Sequence, residues 1–294
     1  MSDLLPQGWM TPAIAYIISA VGSFLGLAFA SRARRATGFF RWQWLGLAAL
    51  SIGGIAIWAM HFVAMFGYSV TGSPLRYDVL LTVISGVLPI LVVLVALHLV
   101  LRQPTTGRLV ASGTLVGVGV IAMHYTGVAA MNIHGSMHHD PAYVALSCVI
   151  AVAAATTALW FARNLQHLGG IALAAVVMAT AVTAMHYTGM AGLHATPADF
   201  NPIGAPDGAK ARDLLLPVII GLFVFLLICS LFLLLGGEDE YEYERRDYTR
   251  PSHRAAEHTV QSADASYRPR HGAPEAPVPR QQSRPGDDVW TRRR

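Results

Sequence analysis

Met60-His61, Met123-His124 and Met185-His186 are three copies of one dipeptide, each followed by an aromatic residue, with the histidines 63 and 62 residues apart. Two copies read Met-His-Tyr-Thr-Gly, at Met123–Gly127 and Met185–Gly189; the first reads Met60-His61-Phe62-Val63. Met65 and Met190 stand four residues after His61 and His186. In a helix that is the same face, one turn on. Imidazole and thioether without a carboxylate form a soft ligand set, which suits copper, Cu(I) especially, over Mg²⁺ or Ca²⁺. The candidate metal ligands are therefore Met60, His61, Met65, Met123, His124, Met185, His186 and Met190. In the second copy Val128 takes the place of the later methionine. Met131 lies seven residues past His124, a rise of roughly 10 Å, too far to share an ion with His124 through the same helix.

The elements that must position these residues are membrane helices. Of 294 residues, 54% are hydrophobic and only 13% charged, about half the charge of an ordinary soluble domain. A soluble enzyme is excluded on that ground. Residues 1–235 hold 10 Lys+Arg and 6 Asp+Glu, whereas 236–294 hold 11 of each. Seven apolar stretches, about 11–30, 45–66, 79–101, 109–131, 142–162, 169–192 and 214–235, each approach the ~20 residues that cross a bilayer. Their interiors contain no Asp, Glu, Lys or Arg. The first is not expected to be a cleaved signal peptide, because Met1–Met10 carries Asp3 and no basic residue.

The fold class expected is an all-α membrane protein of seven transmembrane helices, three two-helix repeats plus one helix, in the plasma membrane. Each motif lies on an even-numbered helix, in its outer part. Successive units repeat one direction, unlike the inverted repeats of many secondary transporters. Arg32, Arg34, Arg35, Arg41, Arg102, Arg108 and Arg163 fall in one set of loops; Arg76, Lys210 and Arg212 fall in the other. This bias predicts an outside N-terminus and an inside C-terminus, with the three histidines at similar depth near the outer face. The formal net charge of +4 therefore reads as topology, not as a nucleic-acid surface. The expected domains are a short extracytoplasmic N-terminus, 1–10, a membrane body, 11–235, and a disordered cytoplasmic tail, 236–294, rich in Pro, Arg, Ser and Glu.

Intramembrane histidines usually face the protein interior, and hydrogen-bonded structural histidines are the alternative to a metal role. The loop Asn132–Asp140 contains His134, Met137, His138 and His139, with His194 after the third motif. It reads either as a metal-collecting loop or as a plain polar one. His98 and the run Phe39–Trp44 are expected at an interface. Tyr125 and Tyr187 are either hydrogen-bond partners of ligands or interfacial aromatics. Thr126 and Thr188 lie opposite the histidines on the helix and are not assigned. Cys148 and Cys229 are expected at different depths, as packing residues without a disulfide. Gly22/Gly26 and Gly113/Gly117 have the spacing of close helix contacts.

The two literal copies and the variant, at this repeat spacing, resemble the MHYT family over about residues 10–235. The resemblance implies a bacterial integral membrane sensor with copper held by the motif Met and His residues. It further implies a diatomic gas, O₂, CO or NO, as the sensed ligand, and often a cyclase, phosphodiesterase, kinase or regulator domain downstream. No such output domain and no catalytic motif is recognised here, so no enzyme activity is expected. A sensor of this kind would signal through a separate protein or its tail. Copper uptake or handling and a haem or copper redox enzyme are the rival functions, and a metal-free membrane scaffold is the plainest.

Overall fold

The computed structural model describes residues 2–3, 8–70, 73–198 and 205–249. It divides into two compact units, Met1–Phe232 and Leu233–Arg294. Among the described residues seven helices are long and apolar enough to cross a membrane: α1 Met10–Arg35, α2 Gly38–Phe66, α3 Val79–Arg102, α4 Thr106–Ala129, α5 Pro141–Asn164, α6 Leu168–Ala191 and α7 Ala211–Thr249, whose membrane span is Ala211–Cys229. A helix satisfies its own backbone hydrogen bonds, which hydrocarbon cannot do for it. Local chemistry sets several starts. Asp78 accepts from the Leu81 amide at 2.9 Å to cap α3. Thr105 accepts from Arg108 at 3.3 Å to cap α4. Asp140 accepts from Ala142 at 2.8 Å ahead of Pro141, the first residue of α5.

In the first unit the main contacts run α1–α2–α3–α4–α5–α6 and back from α6 to α1, a closed ring of six helices. Small residues let the helices approach. A Cβ on Gly22 would lie 2.6 Å from the Ala56 amide nitrogen of α2, and one on Gly117 would lie 2.7 Å from Val152 of α5. Within α2, Leu50–Ala59 forms a π-helical stretch, the wider winding often found beside functional sites. Gly53 in this stretch lies against the backbone of Pro89–Ile90 on α3, where proline contributes no N–H to its own helix.

At one end of the ring the connections are short, 36–37, 103–105 and 165–167; at the other they are longer, and they pair into three two-stranded antiparallel sheets. β1 (Ser2–Asp3) pairs with β2 (Ser69–Val70), β3 (Arg76–Tyr77) with β4 (Met131–Asn132), and β5 (Gly135–His139) with β6 (Leu193–Pro197). The cap thus stitches the N-terminal segment and the loops that follow α2, α4 and α6, all at the end where the motifs lie.

One expectation is corrected. The four arginines placed in a loop after the first span are largely helical: α1 continues through Arg35 and α2 begins at Gly38. Long basic side chains carry their charge off an apolar helix end, so such residues extend a span that hydropathy alone would close early. The expected all-α membrane fold of seven helices is borne out, and the connecting segments add short two-stranded sheets. From 236 the tail has helical backbone as far as Thr249. Its Glu and Arg residues are good helix formers, and Pro251 is the first proline beyond 235. Residues 250–294 of that tail, and 1 and 4–7 of the N-terminal segment, lie outside the described residues.

Candidate metal centre

α2, α4 and α6 alternate around the ring, so each can bring its motif inward. His61, His124 and His186 meet there, with 2%, 0% and 1% of their surface exposed. His61 Nδ1 lies 2.9 Å from His186 Nδ1 and 3.3 Å from His124 Nδ1. The ring centroids are 5.0, 4.9 and 5.3 Å apart, with planes crossing at 72°, 81° and 84°. One ligand atom from each histidine lies within 4.8 Å of the others. The three side chains converge as a single group.

Behind the imidazoles stand glycines. A Cβ on Gly127 would run into His61 Nε2, and one on Gly189 into His124 Nε2. Each histidine of the first two repeats thus rests against the next repeat's glycine. Ala64 takes the equivalent place in the first repeat. These glycines were missed as site residues, although the signal was in the motif: both stand three residues after a histidine. Among the described residues neither His61 Nε2 nor His124 Nε2 has a hydrogen-bond partner.

The motif thioethers are all buried, in three apolar clusters. Met65 and Met190 are buried beside Phe62, Tyr77, Val128 and Met131 in the apolar cluster on the cap side. Met123 and Met185 belong to the main core. Met60 packs with Ala15 and Ala64, near Tyr187. Val128, where the second repeat lacks a methionine, is 1% exposed, so its substitution is absorbed by packing. One turn away from the cap, Ile57, Val120 and Val182, each four residues before a motif histidine, line a cavity of about 40 Å³ with Met178, Met185 and small side chains. Its lining is almost wholly apolar, the kind of void that water leaves dry.

Tyr125 is held by a 2.9 Å hydrogen bond with Ser147 Oγ. Its ring centroid lies 4.8 Å from His124 and 5.4 Å from His139. Tyr187 lies 5.0 Å from His186. Both tyrosines therefore flank the triad. In the cap, partial burial lowers the His139 pKa from its usual value, with His138 adding to the effect, and burial raises that of Tyr77. His98 stacks on Trp42 at 4.7 Å, far from the triad at the opposite end. Cys148 and Cys229 are free thiols.

The donor set fits a first-row transition metal such as copper or zinc: among the described residues it offers three imidazoles and no carboxylate. Nitrogens bound to one ion at about 2.0–2.1 Å would lie roughly 3–3.5 Å apart, close to the spacings between His61 and its two neighbours.

Fold and site together define a multi-pass membrane protein with a buried three-histidine centre at its axis. The MHYT family, "Bacterial signalling protein N terminal repeat", matches residues 54–113 and 117–177, each repeat opening shortly before a motif histidine. The chain belongs to this family of bacterial membrane signalling proteins. It is 38% identical over 209 residues to the bifunctional diguanylate cyclase/cyclic di-GMP phosphodiesterase MucR of Pseudomonas aeruginosa, covering 69% of this chain and 29% of that protein. It is 33% identical over 190 residues to the cyclic di-GMP phosphodiesterase NbdA of the same organism, covering 62% and 24%. With the signaling protein YkoW of Bacillus subtilis it shares 27% identity over 206 residues, covering 67% and 24%. The chain thus matches less than a third of the length of each of these relatives. No solved structure matches it.

Proposed function

We propose that this chain is the membrane-embedded sensing part of a bacterial signalling system, and that His61, His124 and His186 hold one copper ion whose state it reports. The observation that carries the reading is the convergence of three buried imidazoles, from three repeats, with Nδ1 atoms 2.9 and 3.3 Å apart. Such a group is costly in a membrane interior and needs a purpose. Met60, Met65, Met123, Met185 and Met190, buried on the same three helices, would add polarisable sulfur, which favours Cu(I).

Reduced copper with an open coordination position would supply a binding site for a diatomic gas. The protein's own part is threefold. The glycines and the flanking tyrosines set the imidazole orientations. The apolar cap cluster excludes water from above. The cavity beneath offers an uncharged ligand a dry place beside the centre. A shift in the helices that carry the histidines would then transmit occupancy, since a ligand moves an equilibrium only by binding one arrangement better than another.

Names of the relatives support cyclic di-GMP turnover as the output that such a domain serves in those proteins. For this chain we infer coupling to a signalling partner of that kind. The deciding experiment is elemental analysis of gently purified protein, followed by spectroscopy of the reduced form under CO. Copper near one equivalent per chain, with a CO-dependent spectral change, is expected. Copper absent from the parent, or equally retained when all three histidines are replaced by alanine, would sink the reading.

A further inference from the structure

We propose that His138 and His194 form a second metal site, separate from the buried centre, that takes a divalent first-row transition ion such as Cu²⁺ or Zn²⁺ from solution. The register of β5 and β6 sets His138 directly opposite His194. The Asp140 amide donates to the Gly192 carbonyl at 2.8 Å, and the Ala198 amide to that of His134 at 3.0 Å. Those two pairs are hydrogen-bonded ones, and alternate pairs along an antiparallel ladder repeat the pattern. His138–His194 is therefore a hydrogen-bonded pair, with Cα atoms about 5.5 Å apart and side chains on one face.

The two faces of this ribbon differ sharply. Met137 and Ala195 pack against the cap-side apolar cluster, and Leu193 is buried in it. Ser136, His138, His194 and Thr196 are exposed on the opposite face. Nothing in core packing asks for two imidazoles there. A directly opposed pair is within the reach needed for two nitrogens to bind one ion at about 2.0–2.1 Å each, with water completing the shell. Imidazole suits Cu²⁺ and Zn²⁺, and Cu²⁺ binds more tightly at a given nitrogen site. His139 is excluded from the pair, since it faces the bundle and meets Tyr125. The sequence marked the whole loop; strand register singles out one of its histidines and a partner beyond the next two helices. The site does not depend on the buried centre holding copper.

The test uses full-length protein without a polyhistidine tag, in detergent, titrated with Cu²⁺ and followed by electron paramagnetic resonance, with Zn²⁺ calorimetry alongside. One ion per chain with two-nitrogen hyperfine structure is expected in the parent. That signal should be lost in His138→Gln and in His194→Gln. It should persist in Ser136→Gln, a change of bulk on the same face, and in His167→Gln at the far end of the bundle. His253, His258 and His271 are replaced by glutamine in the parent and in every variant, so the signal reports the pair. The triple variant His61→Ala/His124→Ala/His186→Ala should keep the signal, which separates this site from the buried one. A signal that survives His138→Gln/His194→Gln, or that disappears from the triple variant while its helicity is unchanged, overturns the proposal.

Discussion

At the scale of single residues the shared triad changes what each histidine is worth. Had each repeat bound its own ion, the second repeat, with Val128 in place of methionine, would be the weak one. Convergence predicts instead that His61→Ala, His124→Ala and His186→Ala each remove most of the copper. The loss should exceed the roughly 10–100-fold drop in affinity caused by losing a mere hydrogen-bonding partner of a ligand. Competition with a Cu(I) chelator measures it, and three graded, unequal losses would argue for separate ions. Met65→Leu and Met190→Leu, near in volume to the parent, should keep the fold and weaken retention less than any histidine variant. The glycines give a prediction whose sign is informative. In an open helix position Gly→Ala gains up to about 1 kcal/mol, and Gly46→Ala, with open space around it, should be neutral or stabilising. Gly127→Ala and Gly189→Ala push a methyl onto an imidazole and should cost about 1–3 kcal/mol, with copper lost as the ring is displaced. Thermal unfolding in detergent reads the first effect and metal analysis the second. The histidines and their common depth were legible in the sequence because the motif repeats. Their meeting point was not, because it depends on how six helices close into a ring.

At the scale of elements the π-helical stretch Leu50–Ala59 runs directly into Met60 and His61, so its fit against α3 fixes where His61 enters the centre. Gly53 makes that fit possible: a Cβ there would lie 2.7 Å from Pro89 and Ile90 backbone atoms, which cannot swing aside as a side chain can. Its neighbour Gly54 would meet only the Ile90 side chain, at 3.5 Å. Gly53→Ala should therefore lower the melting temperature and copper content together, while Gly54→Ala leaves both near the parent. Equal behaviour of the two would remove the π stretch from the argument. All seven spans were readable from hydropathy, since uninterrupted apolar runs of this length have few other uses. Neither the π winding nor the strands were. Leu50–Ala59 is apolar all round and carries no periodicity to betray a change of pitch. β5 and β6 pair through backbone groups, between loops separated by two helices, which no local pattern announces.

At the scale of the whole molecule the two ends of the bundle are chemically unlike. Arg32, Arg34, Arg35, Arg41, Arg102, Arg108 and Arg163 gather where the connections are short. There the Arg34 guanidinium donates to the carbonyls of Arg163 and Leu165, the latter at 2.7 Å, and Arg32 lies 5.0 Å above the Trp44 ring. The strand-capped end carries the motifs and only Arg76, Lys210 and Arg212. Basic residues in short loops are retained on the cytoplasmic side, so the capped end, the triad beneath it and the His138–His194 pair should face the periplasm or cell exterior. That orientation also suits the function proposed, because metal would reach the cap from outside while the arginine-rich end meets cytoplasmic partners. It can be read with single cysteines in a Cys148→Ala/Cys229→Ala background. Ser136→Cys, exposed on β5, should react with a membrane-impermeant maleimide in intact cells. Thr105→Cys, exposed at the opposite end, should react only after the cells are opened. The reverse pattern would turn the molecule over. It would then place the histidine-bearing end in the cytoplasm, where a metal at the centre would be drawn from the cell's own pool instead of its surroundings.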